Sequence, residues 1–341
     1  MRHRRDCVRF MGQNPERPGR ALNEKRARLP EQAVSHCTGG GAGGPCGVNP
    51  PDTAKIHIGT CAWTHDDWRG VFYPEHLPSS ERLAFYARWF DAVEVDSTFY
   101  HIPASHVTAH WAEVTPPGFR FSCKVPREIT HERKLRDVDE PLAAFLHGVE
   151  PLREKLACLL VQTPRWFSPR HDEYALRDFI RALPSGFPWA VEFRDEAWHL
   201  PRIVHLLEHH NVAWAWNDLS PLAEADAAAF GFFPQTADFA VVRLMGDPET
   251  KYFPDGSRRH HYAKRAWLRA QSLENWAVKI RQTAEAVGNV FVSVNNHFEG
   301  CAPFTIRELA QRLGREVKLP DNAEAHPQEG RGQLGQLGLW E

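Results

Sequence analysis

The stretch Lys55-Ile56-His57-Ile58-Gly59-Thr60-Cys61-Ala62-Trp63 decides between two folds for this chain. It starts as a short apolar run, which is typical of a buried strand, and it then turns into polar and aromatic residues. An open doubly wound sheet usually carries a G-x-G-x-x-G loop after its first strand, and this stretch has no such loop. The first strand therefore favours a closed barrel.

Seven further strand candidates follow, each a short run rich in Val, Ile, Phe or Trp. They are Ala92–Thr98, Arg120–Val125, Ala157–Gln162, Trp189–Arg194, Val212–Asp218, Phe239–Met245 and Val290–Asn296. Helical patterns between or after them cover Ser79–Phe90, Ser105–Val114, Pro141–Lys155, Glu173–Ala182, Pro201–His209, Pro221–Phe230, Ala266–Ala286 and Pro303–Leu313. Eight such units fit an α/β fold, a single (β/α)8 TIM barrel, which typically needs about 250 residues.

The two ends of the chain differ in composition from the region between them. Residues 1–53 are basic and then Gly-rich, and residues 319–341 are polar and Gly-rich. Segments of this kind bury little apolar area. We therefore predict a disordered N-terminal tail over 1–53, a barrel domain over 54–318 and a flexible C-terminal tail over 319–341.

Charge and hydropathy narrow the class of protein. The 341 residues contain 41 Lys plus Arg against 43 Asp plus Glu. This balance argues against a protein that coats nucleic acid non-specifically. No apolar run reaches about 18 residues, so we expect no membrane partner. Seven cysteines without a C-x-x-C pair favour reduced thiols in a cytoplasmic protein.

Charged and apolar side chains alternate along several predicted strands. In Val93-Glu94-Val95-Asp96 the valines share one face and the two acids share the other. Active sites of TIM barrels lie at the carboxyl ends of the strands. We expect six inward residues from five strands to converge there: Glu94, Lys124, Glu192, Arg194, Arg243 and Asn295. Gln162 and Asp218 are the last residues of two further predicted strands, so we expect them at the same carboxyl end of the barrel.

Buried charges must be paired or bind a ligand, because an unpaired buried charge is costly. One interpretation is a structural network in which Glu94 pairs with Lys124, and Glu192 pairs with Arg194 or Arg243. The other is a ligand site that also uses this network. The sequence is compatible with both interpretations.

Aromatic and histidine side chains follow several strands. The aromatic rings either cap the barrel or form a wall on which a ligand stacks. They are Trp63, Trp68, Tyr100, Trp166 and Trp198. His131 and His297 are candidates for an acid, a base or a metal ligand, although a loop histidine can also be purely structural.

Several motifs resemble the YecE-like family, the domain of unknown function 72. They are Ile58–Trp63, Trp68–Pro74, Val93–Tyr100, Phe121–His131, Ala190–Arg194 with Trp198, and Asn295-Asn296-His297 with Gly300. The resemblance covers about residues 55–316 and implies a TIM barrel, but it implies no established reaction. This chain departs from the family pattern at Asp96, where Asn is usual, and at Met245, where His is usual.

Three classes of function fit the inward polar ring. The leading hypothesis is an isomerase- or hydrolase-type enzyme for a polar, sugar- or phosphate-bearing substrate, with Glu94, Glu192 and Lys124 as catalytic residues. Substrate contacts are then expected from Trp63, Trp68, Asp96, Tyr100, Gln162, Arg194, Trp198, Asp218, Arg243, Asn295 and His297. The alternatives are a nucleic-acid-binding protein or metal-dependent endonuclease, using Glu94, Glu192, Asp218 and His297, and a non-catalytic ligand-binding protein. A divalent metal is compatible with the sequence, which requires no cofactor.

Overall fold

The computed structural model describes residues 55–219, 234–246 and 261–320. Its strands are β1 Lys55–Cys61, β2 Ala92–Val95, β3 Arg120–Lys124, β4 Leu156–Gln162, β5 Trp189–Glu192, β6 Ala213–Trp214, β7 Trp216–Asn217, β8 Phe239–Leu244 and β9 Asn289–Val294. Its helices are α1 Arg82–Tyr86, α2 Ser105–Glu113, α3 Asp139–Val149, α4 Pro169–Ala182, α5 Pro201–His209, α6 Ala270–Ala284 and α7 Ala302–Arg312. None of these helices is long and apolar enough to cross a membrane.

The strands form one parallel sheet that curls into a nearly closed barrel. Its order is β6-β5-β4-β3-β2-β1-β9-β8-β7, so the first strand pairs with both the second and the last. The predicted sixth strand is split at Ala215: β6 pairs with β5, and β7 pairs with β8. The Ala215 N–H donates to the Val191 carbonyl at 2.8 Å. The predicted α/β barrel is confirmed.

Two separate apolar clusters show which way the strand side chains face. Val93, Val95 and Val191 belong to the cluster between sheet and helices. Ala190 and Val241, together with Cys158, Leu160, Ala213, Ala215 and Phe291, form the second cluster. Because neighbours along a strand alternate between faces, this second cluster lies inside the barrel. The side chains of Glu94, Glu192 and Arg243 lie on the same inner face, closer to the carboxyl ends of the strands than this second cluster.

Several element boundaries differ from the predicted ones. β2 stops at Val95, and Asp96–Phe99 form a 3-10 turn instead of continuing the strand. The predicted helix Ser79–Phe90 consists of a 3-10 turn, Ser79–Glu81, followed by the short α1. α3 ends at Val149 before a 3-10 segment that contains Pro151, which lacks an N–H donor for a continuing helix.

Some predictions lie outside the described residues. These are the N-terminal tail, the helix Pro221–Phe230 and the C-terminal tail beyond residue 320. Leu319, at the predicted start of that tail, is buried and belongs to the cluster between sheet and helices.

Candidate functional site

Arg243 lies at the centre of a buried ion cluster formed with Glu94, Glu192 and Arg194. Its Nε donates to Glu94 Oε2 at 2.7 Å and its Nη2 donates to Glu94 Oε1 at 2.5 Å, a bidentate pair. Its Nη1 donates to the second acid, Glu192. All three side chains are fully buried. β2, β5 and β8 each contribute one of them, so the cluster ties together three strands across the lumen.

The electrostatics of the cluster follow from its complementary charges. Burial alone would raise the pKa of Glu192, but Arg194 and Arg243 outweigh it and hold that pKa below its ordinary value. Burial alone would lower the pKa of Arg243, but Glu192 and Glu94 raise it well above the usual range. Glu192 is therefore ionised at neutral pH.

A second polar layer lies at the barrel mouth, which we define as Lys124, Asp96, Phe99, Tyr100, His131, Gln162, Trp166 and the outer side of Arg194. Lys124 Nζ lies 3.6 Å from Asp96 Oδ1 and 4.2 Å from the centre of the Phe99 ring. Arg194 pairs with Glu192 and donates from Nη2 to Gln162 Oε1 at 3.1 Å. The Lys124 and Arg194 side chains are 12% and 16% exposed, so both are only partly accessible at this end of the barrel.

The predicted pairing of Glu94 with Lys124 is corrected by this geometry. Glu94 binds Arg243, and Lys124 turns to Asp96. The physical reason is that β2 ends before Asp96: the 3-10 turn brings this carboxylate next to Lys124. A guanidinium, with five N–H donors, can also bridge two acids at once, which an ammonium does less well.

His131 joins the rings of the mouth into one row. Its ring centre lies 5.0 Å from that of Phe99 and 6.0 Å from that of Trp166. Tyr100 extends the row, at 5.1 Å from Phe99. The Thr130 hydroxyl lies 2.9 Å from His131 Nδ1 and fixes the ring. Burial, followed by repulsion from Lys124, Arg127 and Arg194, lowers the pKa of His131 to about 4.

The predicted aromatic wall divides into buried and exposed rings. Trp68 and Trp198 are fully buried, and Trp63 packs edge-on against Trp111 at 5.3 Å. The structure therefore does not bring these three tryptophans to the mouth. Tyr100 and Trp166 are 68% and 63% exposed. They are the rings that a ligand at this end can reach.

Three further predicted residues are engaged elsewhere. Asp218 accepts hydrogen bonds from the Met245 and Gly246 N–H groups and from Arg269 Nη1 at 2.8 Å. Asn295 accepts the His297 N–H at 3.0 Å and caps a 3-10 turn. His297 Nε2 lies 3.0 Å from the Tyr262 hydroxyl. Each of them thus has a hydrogen-bond partner within the protein, and their role as substrate contacts stays a prediction.

The position where the family resemblance implies a histidine is apolar in this chain. Met245 is buried, and its sulfur lies 4.0 Å from Cys61 Sγ. Burial and the nearby Glu94 carboxylate raise the pKa of the Cys61 thiol well above its usual value. This sulfur pair therefore offers neither a proton carrier nor a thiolate nucleophile.

No group of three or more His, Cys, Asp or Glu residues suited to a metal ion occurs in the described part of the chain. The four residues expected for a metal cluster have other partners: Glu94 and Glu192 bind arginines, Asp218 binds Arg269, and His297 contacts Tyr262. Sequence reasoning weighed His131 and Trp166 without assigning them, and it missed Phe99. The ring pattern Phe99-Tyr100 directly after the second strand was the available signal.

The fold and this strand-end site define a TIM-barrel protein whose polar centre lies at the carboxyl ends of the strands. The profile of the family described as "Protein of unknown function DUF72" matches residues 57–330, and the chain belongs to this family. The chain is 26% identical over 274 residues to the UPF0759 protein YunF of Bacillus subtilis, covering 76% of this chain and 95% of YunF. It is 34% identical over 139 residues to the UPF0759 protein YecE of Escherichia coli, covering 41% of this chain and 48% of YecE.

Solved structures of the same family are similar in fold. A DUF72 family protein from Thermotoga maritima matches with a TM-score of 0.62 and 26% identity, covering 76% of this chain and all of that protein. A DUF72 family protein from Enterococcus faecalis also matches with a TM-score of 0.62, at 20% identity, covering 77% of this chain and 97% of that protein. The family assignment and the barrel are thus established together.

Proposed function

We propose that the barrel mouth binds a polar small molecule that carries a phosphate, and that the protein acts on it as an isomerase- or hydrolase-type enzyme. One observation carries the proposal: the cations Lys124, at the end of β3, and Arg194, two residues after β5, lie together at the barrel mouth near His131. Burial and then repulsion from Lys124, Arg127 and Arg194 lower the pKa of His131 to about 4, which supports a cationic surrounding at this point. A positive potential at the solvent-exposed end of a barrel favours an anionic ligand.

Both cations keep donors that a phosphate can use. Lys124 has three N–H donors and lies 3.6 Å from Asp96, which is longer than a direct hydrogen bond. Arg194 has five N–H donors and uses Nε toward Glu192 and Nη2 toward Gln162. A phosphate between the two side chains would receive charge-assisted hydrogen bonds from both.

The exposed rings suit the rest of such a ligand. Tyr100 and Trp166 stand at the two ends of the ring row that passes through Phe99 and His131. The face of an exposed aromatic ring can stack on the apolar face of a sugar or on a base. A sugar phosphate therefore fits the mouth better than inorganic phosphate alone.

The geometry changes the roles that we assign to the carboxylates. Both oxygens of Glu94 are bound to Arg243, and Glu192 is held between Arg243 and Arg194. We assign both acids to positioning rather than to proton transfer: Glu94 holds Arg243, and Glu192 holds Arg243 and Arg194. His131, which is neutral at pH 7, is the better candidate for a general base, because its Nε2 can accept a proton in the tautomer whose Nδ1–H donates to Thr130.

Calorimetric titration with glucose 6-phosphate tests the binding step. Lys124→Ala and Arg194→Ala are each expected to weaken binding by about tenfold or more, since each removes a charge-assisted contact. Arg181→Ala, at an exposed arginine of α4, is the matched control and should bind like the parent protein. Unchanged affinity in both mouth variants, or equal binding of unphosphorylated glucose, would contradict the proposal.

The lowered pKa of His131 predicts a pH dependence of stability. Its pKa falls from the ordinary 6.5 to about 4 on folding, so the unfolded chain binds more protons between these two values. The free energy of unfolding should therefore decrease as the pH falls from about 6.5 to 4. Urea unfolding at several pH values in this range measures this decrease. The free energy of unfolding should change less with pH in His131→Gln than in the parent protein. The exposed His106→Gln serves as control, and equal slopes in all three proteins would disprove the expectation.

We place this activity in the cytoplasm. The cysteines in the described residues, Cys61, Cys123, Cys158 and Cys301, are buried thiols without a disulfide. Separately buried thiols are usual in reducing compartments, where disulfides rarely persist.

A further inference from the structure

The outer helix α5 carries two exposed histidines, His205 and His209, on one face. They are four residues apart, which is about one helical turn, so their Cβ atoms lie about 5–6 Å from each other. Both rings border the same surface hollow, which residues of α4 and α5 line. Two imidazoles at this spacing are the ligands with which the H-E-x-x-H motif binds zinc. The helix therefore places two metal-binding side chains next to each other.

Glu208 fixes the tautomer of the first of these imidazoles. Its Oε2 lies 3.1 Å from His205 Nδ1. An ionised carboxylate can only accept a hydrogen bond, so the neutral ring has its proton on Nδ1 and its lone pair on Nε2. Histidines that bind metals commonly have such a carboxylate partner, which orients the ring and makes it a stronger ligand. This contact points to a metal site independently of the spacing.

The charges around the hollow are compatible with a bound cation. Three arginines also line it, namely Arg177, Arg181 and Arg202. Glu173 pairs with two of them, at 3.0 and 2.8 Å, and Asp178 lies 3.7 Å from the third. Together with Glu208, three acids thus offset the three arginines. His209 is the last residue of α5, where the carbonyl end of the helix dipole attracts positive charge.

We propose that His205 and His209 form a surface site for a divalent transition-metal ion such as Zn²⁺, with water completing its coordination. Imidazole nitrogen suits Zn²⁺, Ni²⁺ and Cu²⁺, whereas Mg²⁺ and Ca²⁺ prefer oxygen ligands. The same spacing recurs on α2 at His106 and His110, but no carboxylate of the described residues is hydrogen-bonded to either of those rings. The site on α5 is therefore the better oriented of the two. It lies on the outer helix layer, apart from the barrel mouth.

Labelling of the full chain with diethyl pyrocarbonate in the presence of ZnCl2 tests the site. A metal-bound imidazole no longer reacts, and peptide mass spectrometry resolves each histidine. We expect Zn²⁺ to protect His205 and His209 over the same range of concentration. The exposed His147 of α3, which has no histidine four residues away, should need at least about tenfold more Zn²⁺. MgCl2 at equal concentration should protect none of the three.

Single substitutions show whether the two rings act together. In His205→Asn, the Zn²⁺ concentration that half-protects His209 should rise by about tenfold, because the remaining ring loses its chelating partner. Glu208→Gln, which removes the charge beside His205, should raise it severalfold. His147→Asn is the control and should change nothing at α5. All these positions are exposed, so the variants keep the core intact. Unchanged protection of His209 in His205→Asn, or equal protection by MgCl2, would overturn the proposal.

Discussion

Replacing Arg243 by methionine is expected to lower the free energy of unfolding by about 3–5 kcal/mol. The shorter, unbranched methionine leaves Glu94 fully buried without a cation and leaves Glu192 with Arg194 alone. The buried Glu94 carboxylate must then either stay charged in a poor solvent or take up a proton. Urea unfolding at pH 7 measures the loss, and the midpoint should shift while the slope stays constant.

Neutralising Glu94 as well should reverse most of that loss. The double variant Arg243→Met, Glu94→Gln removes the unpaired acid together with its cation, while Glu192 keeps Arg194, and such paired replacements are often close to neutral. Arg181→Met, which removes one partner of the exposed pair with Asp178, is the control and should leave stability unchanged within error. A double variant no more stable than Arg243→Met would show that charge imbalance is not the cause.

Trp198→Ala should destabilise the protein by about 3–5 kcal/mol, as deletion of a fully buried large aromatic ring usually does. Trp198 stacks on Phe167 and Phe193 at 5.1 and 5.2 Å, and its Nε1 donates to the Phe167 carbonyl at 2.7 Å. Removing it leaves a cavity in the core and an unsatisfied carbonyl. Thermal and urea unfolding measure this effect.

Trp166→Ala should weaken ligand binding but leave the stability of the protein nearly unchanged. Its ring is 63% exposed, so stability should change by no more than about 0.5 kcal/mol. Affinity for glucose 6-phosphate should fall about three- to tenfold, as expected when a stacking contact is lost. Suppose that Trp166→Ala binds glucose 6-phosphate with the parent affinity, whereas folded Trp198→Ala binds it more weakly. The assignment of the stacking ring to Trp166 would then be wrong.

Strand periodicity was sufficient to predict the barrel and the inner face of its strands. The alternation in Val93-Glu94-Val95 and in Val191-Glu192-Phe193 predicts which side chains enter the lumen, because apolar neighbours must face the helices. It does not predict which acid binds which base. That choice depends on side-chain length and on where each strand ends. Arg243 reaches across the lumen to Glu94, whereas the early end of β2 turns Asp96 toward Lys124.

The aromatic residues show a second limit of sequence reasoning. Trp166 and Trp198 both follow a strand and were equivalent candidates for a binding wall. In the structure Trp198 turns into the core under Phe167, whereas Trp166 points outward beside His131. The local sequence contains no periodic pattern in such short turns, so tertiary packing alone decides between the two directions.

The pairing of β1 with β9 has a consequence for how the chain folds during synthesis. Lys55 pairs with Asn289, so the first strand needs a partner that is made more than 230 residues later. β1 to β5 can pair in order as they emerge, but one edge of β1 stays open until β9 has left the ribosome. An unpaired strand edge can form hydrogen bonds with strands of other chains. Contacts between residues that are distant in sequence also slow folding. We therefore expect the chain to be most prone to aggregation in the interval before β9 pairs with β1.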